Sequence, residues 1–151
     1  MSGIIGGAGS KSGVIGTTEL DYEEGTWTAA IAVDSGSITI NDETGSYVKI
    51  GKSVHLNGRF TMSSISSPVG DVSITGLPFT ADSVGGYIYA SAVTLALDRF
   101  TGTANQIVGI IPDGGSVILV REMLTTGAGA DVGVHMQATT TIHINAVYKT
   151  A

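Results

Sequence analysis

The sequence predicts an all-β, antiparallel domain of the sandwich or jelly-roll type that follows an extended N-terminal arm. Three observations favour this class: apolar and polar residues alternate in several segments, turn-forming residues separate those segments, and no segment has the period of an amphipathic helix. We assign residues 1–20 to the arm and residues 21–151 to the β domain. A chain of this length can bury one hydrophobic core without covalent staples.

Two segments, residues 54–62 and residues 141–148, alternate strictly between apolar and polar side chains. Because successive side chains of a strand point to opposite faces, each segment is expected to be a strand with one face in the core. The predicted core faces are Val54, Leu56, Phe60 and Met62, and Ile142, Ile144, Ala146 and Tyr148; the predicted polar faces are His55, Asn57, Arg59 and Thr61, and His143 and Asn145. Further strands are predicted at residues 26–33, 47–50, 72–75, 87–97, 106–111 and 117–122, with turns at residues 34–37, 41–45, 66–70, 82–86, 112–115 and 127–133.

The arm is rich in glycine and carries two apolar pairs, Ile4-Ile5 and Val14-Ile15. Glycine disfavours a helix by about 1 kcal/mol per residue relative to alanine, so no helix is predicted there. One interpretation is a disordered tail. The other is an arm that becomes ordered when its apolar pairs dock on a neighbouring protein, and we take these four residues as the candidate docking residues.

The chain is apolar for its size, with 13% charged residues and a mean hydropathy of +0.32. Its most apolar stretches are much shorter than the roughly 20 residues that span a bilayer, so no membrane insertion is expected. Residues 1–16 lack the basic start and apolar run of a secretory signal. Apolar surface is most simply covered by other copies of the same chain, and we therefore predict a homo-oligomer.

Charge and cysteine content exclude several classes of function. Seven Lys and Arg residues against 13 Asp and Glu residues give a net charge of −6, and the basic residues do not cluster. Nucleic acid is therefore not an expected partner. The absence of cysteine excludes disulfides and thiolate metal sites. We predict no cofactor.

The segment Asp34-Ser35-Gly36-Ser37 allows two interpretations. Aspartic proteases place their catalytic carboxylate in a loop of this kind, two of which share one proton, and residues 106–111 resemble the apolar element of those enzymes. However, Asp, Ser and Gly each favour turns for local reasons. We favour a turn without catalytic function.

Other candidate chemical sites are weak. The acidic residues Asp21, Glu23 and Glu24 could supply paired carboxylates for glycoside hydrolysis, but a charged collar where the arm enters the domain is the preferred interpretation. Trp27 is predicted to be a core or interface anchor beside them, and Tyr22 is assigned to the same arm–domain junction and interface. Residues 45–53 miss the spacing of a phosphate loop. Isolated histidines could form a metal site only if a threefold axis multiplied one of them; the candidates are His55, His135 and His143. We predict that the protein is not an enzyme.

Aromatic residues suggest one further binding hypothesis. Glycan sites usually combine an aromatic platform with polar groups, and aromatic residues make up only 6% of this chain. The candidate platforms are Tyr47, Tyr87 and Tyr89, with Trp27 as a weaker candidate.

Several motifs resemble one family of proteins. Residues 21–28 read DYEEGTWT, residues 45–51 read GSYVKIG, residues 54–58 read VHLNG, residues 76–80 read GLPFT, and the chain ends in a strand with AVYKT. Together they resemble phage tail-fibre and virion-protein domains that open with a DYEEGTWTP-like segment. Ala29 departs from that pattern, in which proline is frequent, and residues 87–136 are unmatched.

The resemblance implies a trimeric, non-enzymatic β-sandwich on the virion. Fibre proteins usually carry long N-terminal shafts, whereas about twenty residues precede this domain. We therefore expect a capsid decoration or cement protein, or a small appendage, that binds the capsid or tail hub through its arm. The alternative is a tail-fibre knob that binds a host-surface glycan.

Overall fold

The computed structural model describes residues 14–15, 18–19, 21–41, 44–83, 85, 89–101, 106–124, 127–129 and 132–151. The strands are β1 (Val14–Ile15), β2 (Thr18–Glu19), β3 (Tyr22–Thr28), β4 (Ala30–Asn41), β5 (Thr44–Ile50), β6 (Ser53–Thr75), β7 (Tyr89–Asp98), β8 (Gln106–Pro112), β9 (Ile118–Leu124), β10 (Gly127–Gly129) and β11 (Thr141–Lys149). A short 3-10 helix covers Gly133–His135. All pairings between these strands are antiparallel, which confirms the predicted all-β class.

The domain is built from one sheet that closes on itself. Its strand order is β10-β9-β8-β7-β11-β6-β5-β3, and β4 pairs with β6 outside this path. A further pairing joins Val72, Ser73 and Ile74 of β6 to β9. The strands β6, β11, β7, β8 and β9 therefore form a closed ring, so that the core lies inside a curled sheet, where the sequence had suggested two facing layers. Residues 14–15 and 18–19 form a separate two-stranded pair at the end of the arm.

The strand β6 joins the two parts of the sheet. Its first part pairs with β5 and β11, and its second part pairs with β4 and β9. The partner β4 cannot be straight. Thr28 pairs with Thr44, so the two ends of β4, Ala30 and Asn41, are at most about 22 Å apart, whereas 12 extended residues span roughly 40 Å.

The bend lies where the sequence predicted two hairpin turns. The β4–β6 register shifts between Val33 and Ser35 and again between Ser35 and Ser37. Gly36, Ser67 and Gly70 have positive φ angles of 84°, 42° and 86°. The hairpin turns predicted at residues 34–37 and 66–70 are therefore wrong, because the chain does not reverse its direction there. Instead, the turn-forming residues bend β4 and β6 at the same place.

Two other boundaries differ from prediction. The strand predicted at residues 26–33 is interrupted at the buried Ala29, where the chain leaves β5 and begins to pair with β6. Gly76 has a φ of 91° and lies so close to the carbonyl oxygen of Thr28 that no Cβ fits between them. Part of the loop predicted at residues 127–133 forms β10, which pairs with β9.

The predicted core faces are confirmed. All four predicted core residues of β6 are at most 1% exposed, and those of β11 are at most 4% exposed. The intervening residues of β6, His55, Asn57 and Arg59, are exposed. Within the described residues, no helix is long and apolar enough to cross a membrane.

Candidate assembly surface

The segments that carry the family resemblance pack against one another, and Trp27 contacts two of the others through Gly45 and Asn57. The Trp27 indole is 3% exposed, and its Nε1 donates a hydrogen bond to the carbonyl oxygen of Asn57 at 3.0 Å. Its ring meets Phe60 edge to face, with centroids 5.3 Å apart. Gly45 and Gly58 lie directly against these two rings, where a side chain would overlap them. Trp27 is therefore a core anchor.

A second aromatic contact joins β3, β5 and the segment after β6. The Tyr47 hydroxyl donates a hydrogen bond to Glu23 Oε1 at 2.7 Å, which raises the pKa of this phenol. The Tyr47 ring packs edge to face on Phe79 at 5.3 Å. Lys49 lies 5.7 Å from the centre of the Phe79 ring and 2.6 Å from Asp21 Oδ2. Tyr47 therefore belongs to the packing of the fold.

The C-terminal strand completes this unit. The Tyr148 hydroxyl donates to the carbonyl oxygen of Phe79 at 2.9 Å, and Thr150 Oγ1 donates to that of Thr80 at 2.9 Å. Burial raises the pKa of Tyr148 to about 12. The segments that carry the resemblance are far apart in the sequence, and they thus form one continuous set of contacts.

The acidic residues of β3 are divided between its two faces. Glu23 lies on the face covered by Phe79, whereas Glu24 lies on the opposite face, as expected for neighbours in a strand. The Tyr22 hydroxyl donates to Glu24 Oε2 at 2.6 Å, which raises the pKa of the Tyr22 phenol. The structure therefore does not bring Glu23 and Glu24 together as a catalytic pair. The charged collar stays a prediction.

The remaining predicted binding residues are only partly described. The backbones of Val14 and Ile15 form β1, whereas Ile4 and Ile5 lie outside the described residues. Of the three candidate glycan platforms, Tyr47 is hydrogen-bonded to Glu23 and packs against Phe79. Tyr87 lies outside the described residues, and Tyr89 is described only as the first residue of β7. Arm docking and the glycan platform therefore stay predictions.

The Asp34 carboxylate holds the bend in the β4–β6 ribbon. Asp34 Oδ2 accepts a hydrogen bond from the backbone N–H of Asp71 at 2.9 Å. The Asp71 carboxylate in turn binds Arg121 Nη1 of β9 at 3.0 Å. Asp34 thus links the two bent strands, and Arg121 ties the bend to the closing strand. This geometry agrees with a local structural role.

The three histidines lie in two regions. His55 and His143 are exposed on neighbouring strands, and His143 lies opposite Arg59. His135 Nδ1 lies 2.7 Å from the carbonyl oxygen of Thr101, and its Nε2 lies 3.6 Å from Glu122. Among the residues that the structure describes, no three His, Asp or Glu side chains are close enough to share a metal ion. A histidine ring between copies stays a prediction.

The outward face of the sheet carries a polar row across five strands. At matching register positions on β3, β5, β6, β11 and β7, this row consists of Thr26, Ser46, Asn57, Asn145 and Thr94. All five residues are exposed, and the Ser46 hydroxyl donates to Asn57 Oδ1 at 2.8 Å. Two adjoining depressions of about 510 and 520 Å³ share part of this row. Arg59 and His143 line one of them, and Glu24 and His55 line the other.

One end of the same face is apolar. Tyr22 and Ile50 are opposite each other on β3 and β5 and are 55% and 40% exposed, and Val147 of β11 is 47% exposed. A depression of about 530 Å³ lies between Ile50 and Val147, with Lys52 and Lys149 at its rim. Flat, partly apolar surface of this kind is typical of protein contact areas.

The fold is similar to part of one solved structure, the crystal structure of the Dettilon tailspike protein (gp208). The two match with a TM-score of 0.75 and 21% sequence identity. The match covers 85% of this chain and 24% of that chain, so the present chain corresponds to about a quarter of the tailspike. At this identity the likeness establishes a shared fold. No protein-family model and no curated protein sequence matches the chain.

Proposed function

We propose that this chain is a structural, non-enzymatic module of a bacteriophage virion, belongs to a tail appendage, and works as a homo-trimer. The likeness to the Dettilon tailspike protein (gp208) over 85% of the chain is the observation that carries this proposal. The segments that resemble phage virion proteins lie within this shared fold, where Trp27, Tyr47 and Tyr148 join them.

Oligomerisation accounts for the composition of the outward face. Exposed Ile50 and Val147 form an apolar area whose charged residues, Lys52 and Lys149, lie at its rim. Contact areas between subunits are depleted in charge in the same way. Sedimentation equilibrium of the full chain should give three times the protomer mass at micromolar concentration. A monomer in solution, together with the absence of a trimer on the particle, would overturn this part of the proposal.

The position on the virion distinguishes a tail appendage from a capsid decoration anchored by the arm. Purified particles of the encoding phage should be labelled with antibodies against the chain and imaged by electron microscopy. We expect label at the tail and a copy number far below that of the major capsid protein. Label over the whole shell at a comparable copy number would favour a decoration or cement protein. Absence from purified particles would overturn the virion assignment.

Recognition of a host-surface glycan is a second candidate function. The polar depressions favour it, because Asn57, Arg59 and Glu24 offer an amide, a guanidinium and a carboxylate on one exposed face. Binding of the trimer to an array of host-surface glycans tests this function. Asn57→Ala should abolish binding, whereas Ser64→Ala, an exposed change elsewhere on β6, should leave it intact. A trimer that binds no glycan would overturn this second candidate function.

A further inference from the structure

The outward face carries two patches of opposite character, and the first lies on β3. This strand is an edge of the sheet, because β5 is its only partner among the described strands. Its exposed face presents the Tyr22 ring with the Glu24 carboxylate beside it. The 2.6 Å hydrogen bond between them holds the ring and the charge in a fixed relation. We call Tyr22 and Glu24 together the donor patch.

The second patch is the depression between β5 and β11. Ile50 and Val147 form its walls, and Ser53 of β6 lies between them. Lys52 and Lys149 are at its rim. We call the depression with this rim the acceptor patch.

The charge of the acceptor patch is positive after internal pairs are counted. Lys149 forms an ion pair with Asp82 at 3.0 Å, and its hydrogen bond lowers the pKa of the Asp82 carboxyl. The charges of Lys149 and Asp82 cancel, so the exposed Lys52 gives the rim a net charge of one positive unit. The donor patch carries the negative charge of Glu24. The two patches are therefore complementary in charge, and each contributes exposed apolar surface.

We infer that the acceptor patch binds the donor patch of a second copy of this chain. The Tyr22 ring of one copy packs between Ile50 and Val147 of its neighbour, and Glu24 faces Lys52. The two patches adjoin on one face, because Tyr22 and Ile50 are opposite each other on β3 and β5. In a threefold ring with this face towards its axis, each copy can give its donor patch to one neighbour and its acceptor patch to the other. Aromatic residues in apolar depressions are frequent anchors of interfaces. This inference rests on the proposed homo-trimer and assigns its contact.

Charge reversal tests the pairing in the full chain. Glu24→Lys and Lys52→Glu each place like charges across every contact, and each should raise the protomer concentration for half-assembly by about threefold or more. The double variant Glu24→Lys/Lys52→Glu restores opposite charges and should recover most of the lost assembly, although it lacks the hydrogen bond from Tyr22 to Glu24. Asp98→Lys is the matched control for Glu24→Lys, because it makes the same charge change at an exposed position at the far end of β7 and should assemble normally. Sedimentation equilibrium measures all four variants.

The apolar part of the contact has its own test. Val147→Glu places a charge on the exposed wall of the acceptor patch and should give a folded monomer, with circular dichroism unchanged. If the wild-type chain is a monomer in solution and forms no trimer on the particle, the proposed homo-trimer is overturned, and this contact with it. If the wild type is a trimer and both Val147→Glu and the single charge reversals assemble like Asp98→Lys, the contact lies elsewhere and this inference is wrong.

Discussion

Gly45→Ala should destabilise the domain, because residue 45 touches the Trp27 anchor on one side and the β6 backbone on the other. A Cβ at this position would lie 2.8 Å from Trp27 Cε2 and closer still to Trp27 Nε1 and to the carbonyl oxygen of Asn57. Real Cβ atoms do not approach other atoms so closely. Either the indole or the strand must therefore move, and both are held in the core.

The magnitude follows from the two effects of that movement. Forcing one extra carbon into a packed core costs about 1–3 kcal/mol. The new Cβ also separates the indole Nε1 from the Asn57 carbonyl oxygen, and the loss of that hydrogen bond costs about 0.5–1.5 kcal/mol. The expected loss is about 2–4 kcal/mol. For a domain of this size, it corresponds to a fall in Tm of roughly 5–15 °C.

Thermal unfolding at one fixed protomer concentration measures this loss, since association makes Tm depend on concentration. Trp27 is the sole tryptophan, so its fluorescence reports directly on the anchor. The control is Thr44→Ala, an exposed change at the preceding residue of β5, which should alter stability by no more than about 0.5 kcal/mol. A Gly45→Ala variant with the Tm and the tryptophan emission of the wild type would refute the packing argument.

Three further predictions concern other parts of the chain. Because burial raises the pKa of Tyr148 to about 12, this phenol contributes stability below about pH 10 that is lost between about pH 10 and 12; Tyr148→Phe should reduce that decline in urea unfolding. Asp34→Asn keeps an oxygen for the Asp71 N–H and should change stability by about 0.5 kcal/mol or less, with no effect on any peptidase activity, whereas Asp34→Ala should cost about 0.5–1.5 kcal/mol. An acid peptidase activity that Asp34→Asn abolishes would contradict the non-enzymatic assignment. Deletion of residues 2–16 should leave a folded trimer that no longer binds its virion partner; full occupancy on particles would place attachment elsewhere.

Strict alternation predicted the strands whose one face is in the core. In β6 the prediction placed Leu56 and Phe60 inside and His55 outside, and the structure agrees. The period of two is a property of the strand itself, so a short segment is sufficient to show it. The same holds for β11, where the C-terminal alternation gave the correct core face.

The bend and the outward surface could not be predicted in this way. Asp34 and Gly70 are turn-forming residues by local preference, and only their contact across the two paired strands shows that both lie in one shared bend. The role of Gly45 depends on Trp27 and Asn57, which are distant in sequence, and no local pattern shows that contact. Tyr47 looked like a free platform because the sequence does not show that Phe79 covers it. Contacts of this kind arise from the closed sheet.

The position of β11 has a consequence for how the protein is made. It is the last described strand, yet it lies between β6 and β7 and pairs with both. Thr61 and Thr141, which face each other across this pairing, are 80 residues apart. During synthesis the edges of β6 and β7 therefore stay open until residues 141–149 have emerged, and open edges favour aggregation. A nonsense mutation shortly before Thr141 should consequently give insoluble protein, and slow translation of this region should lower the yield of folded chain.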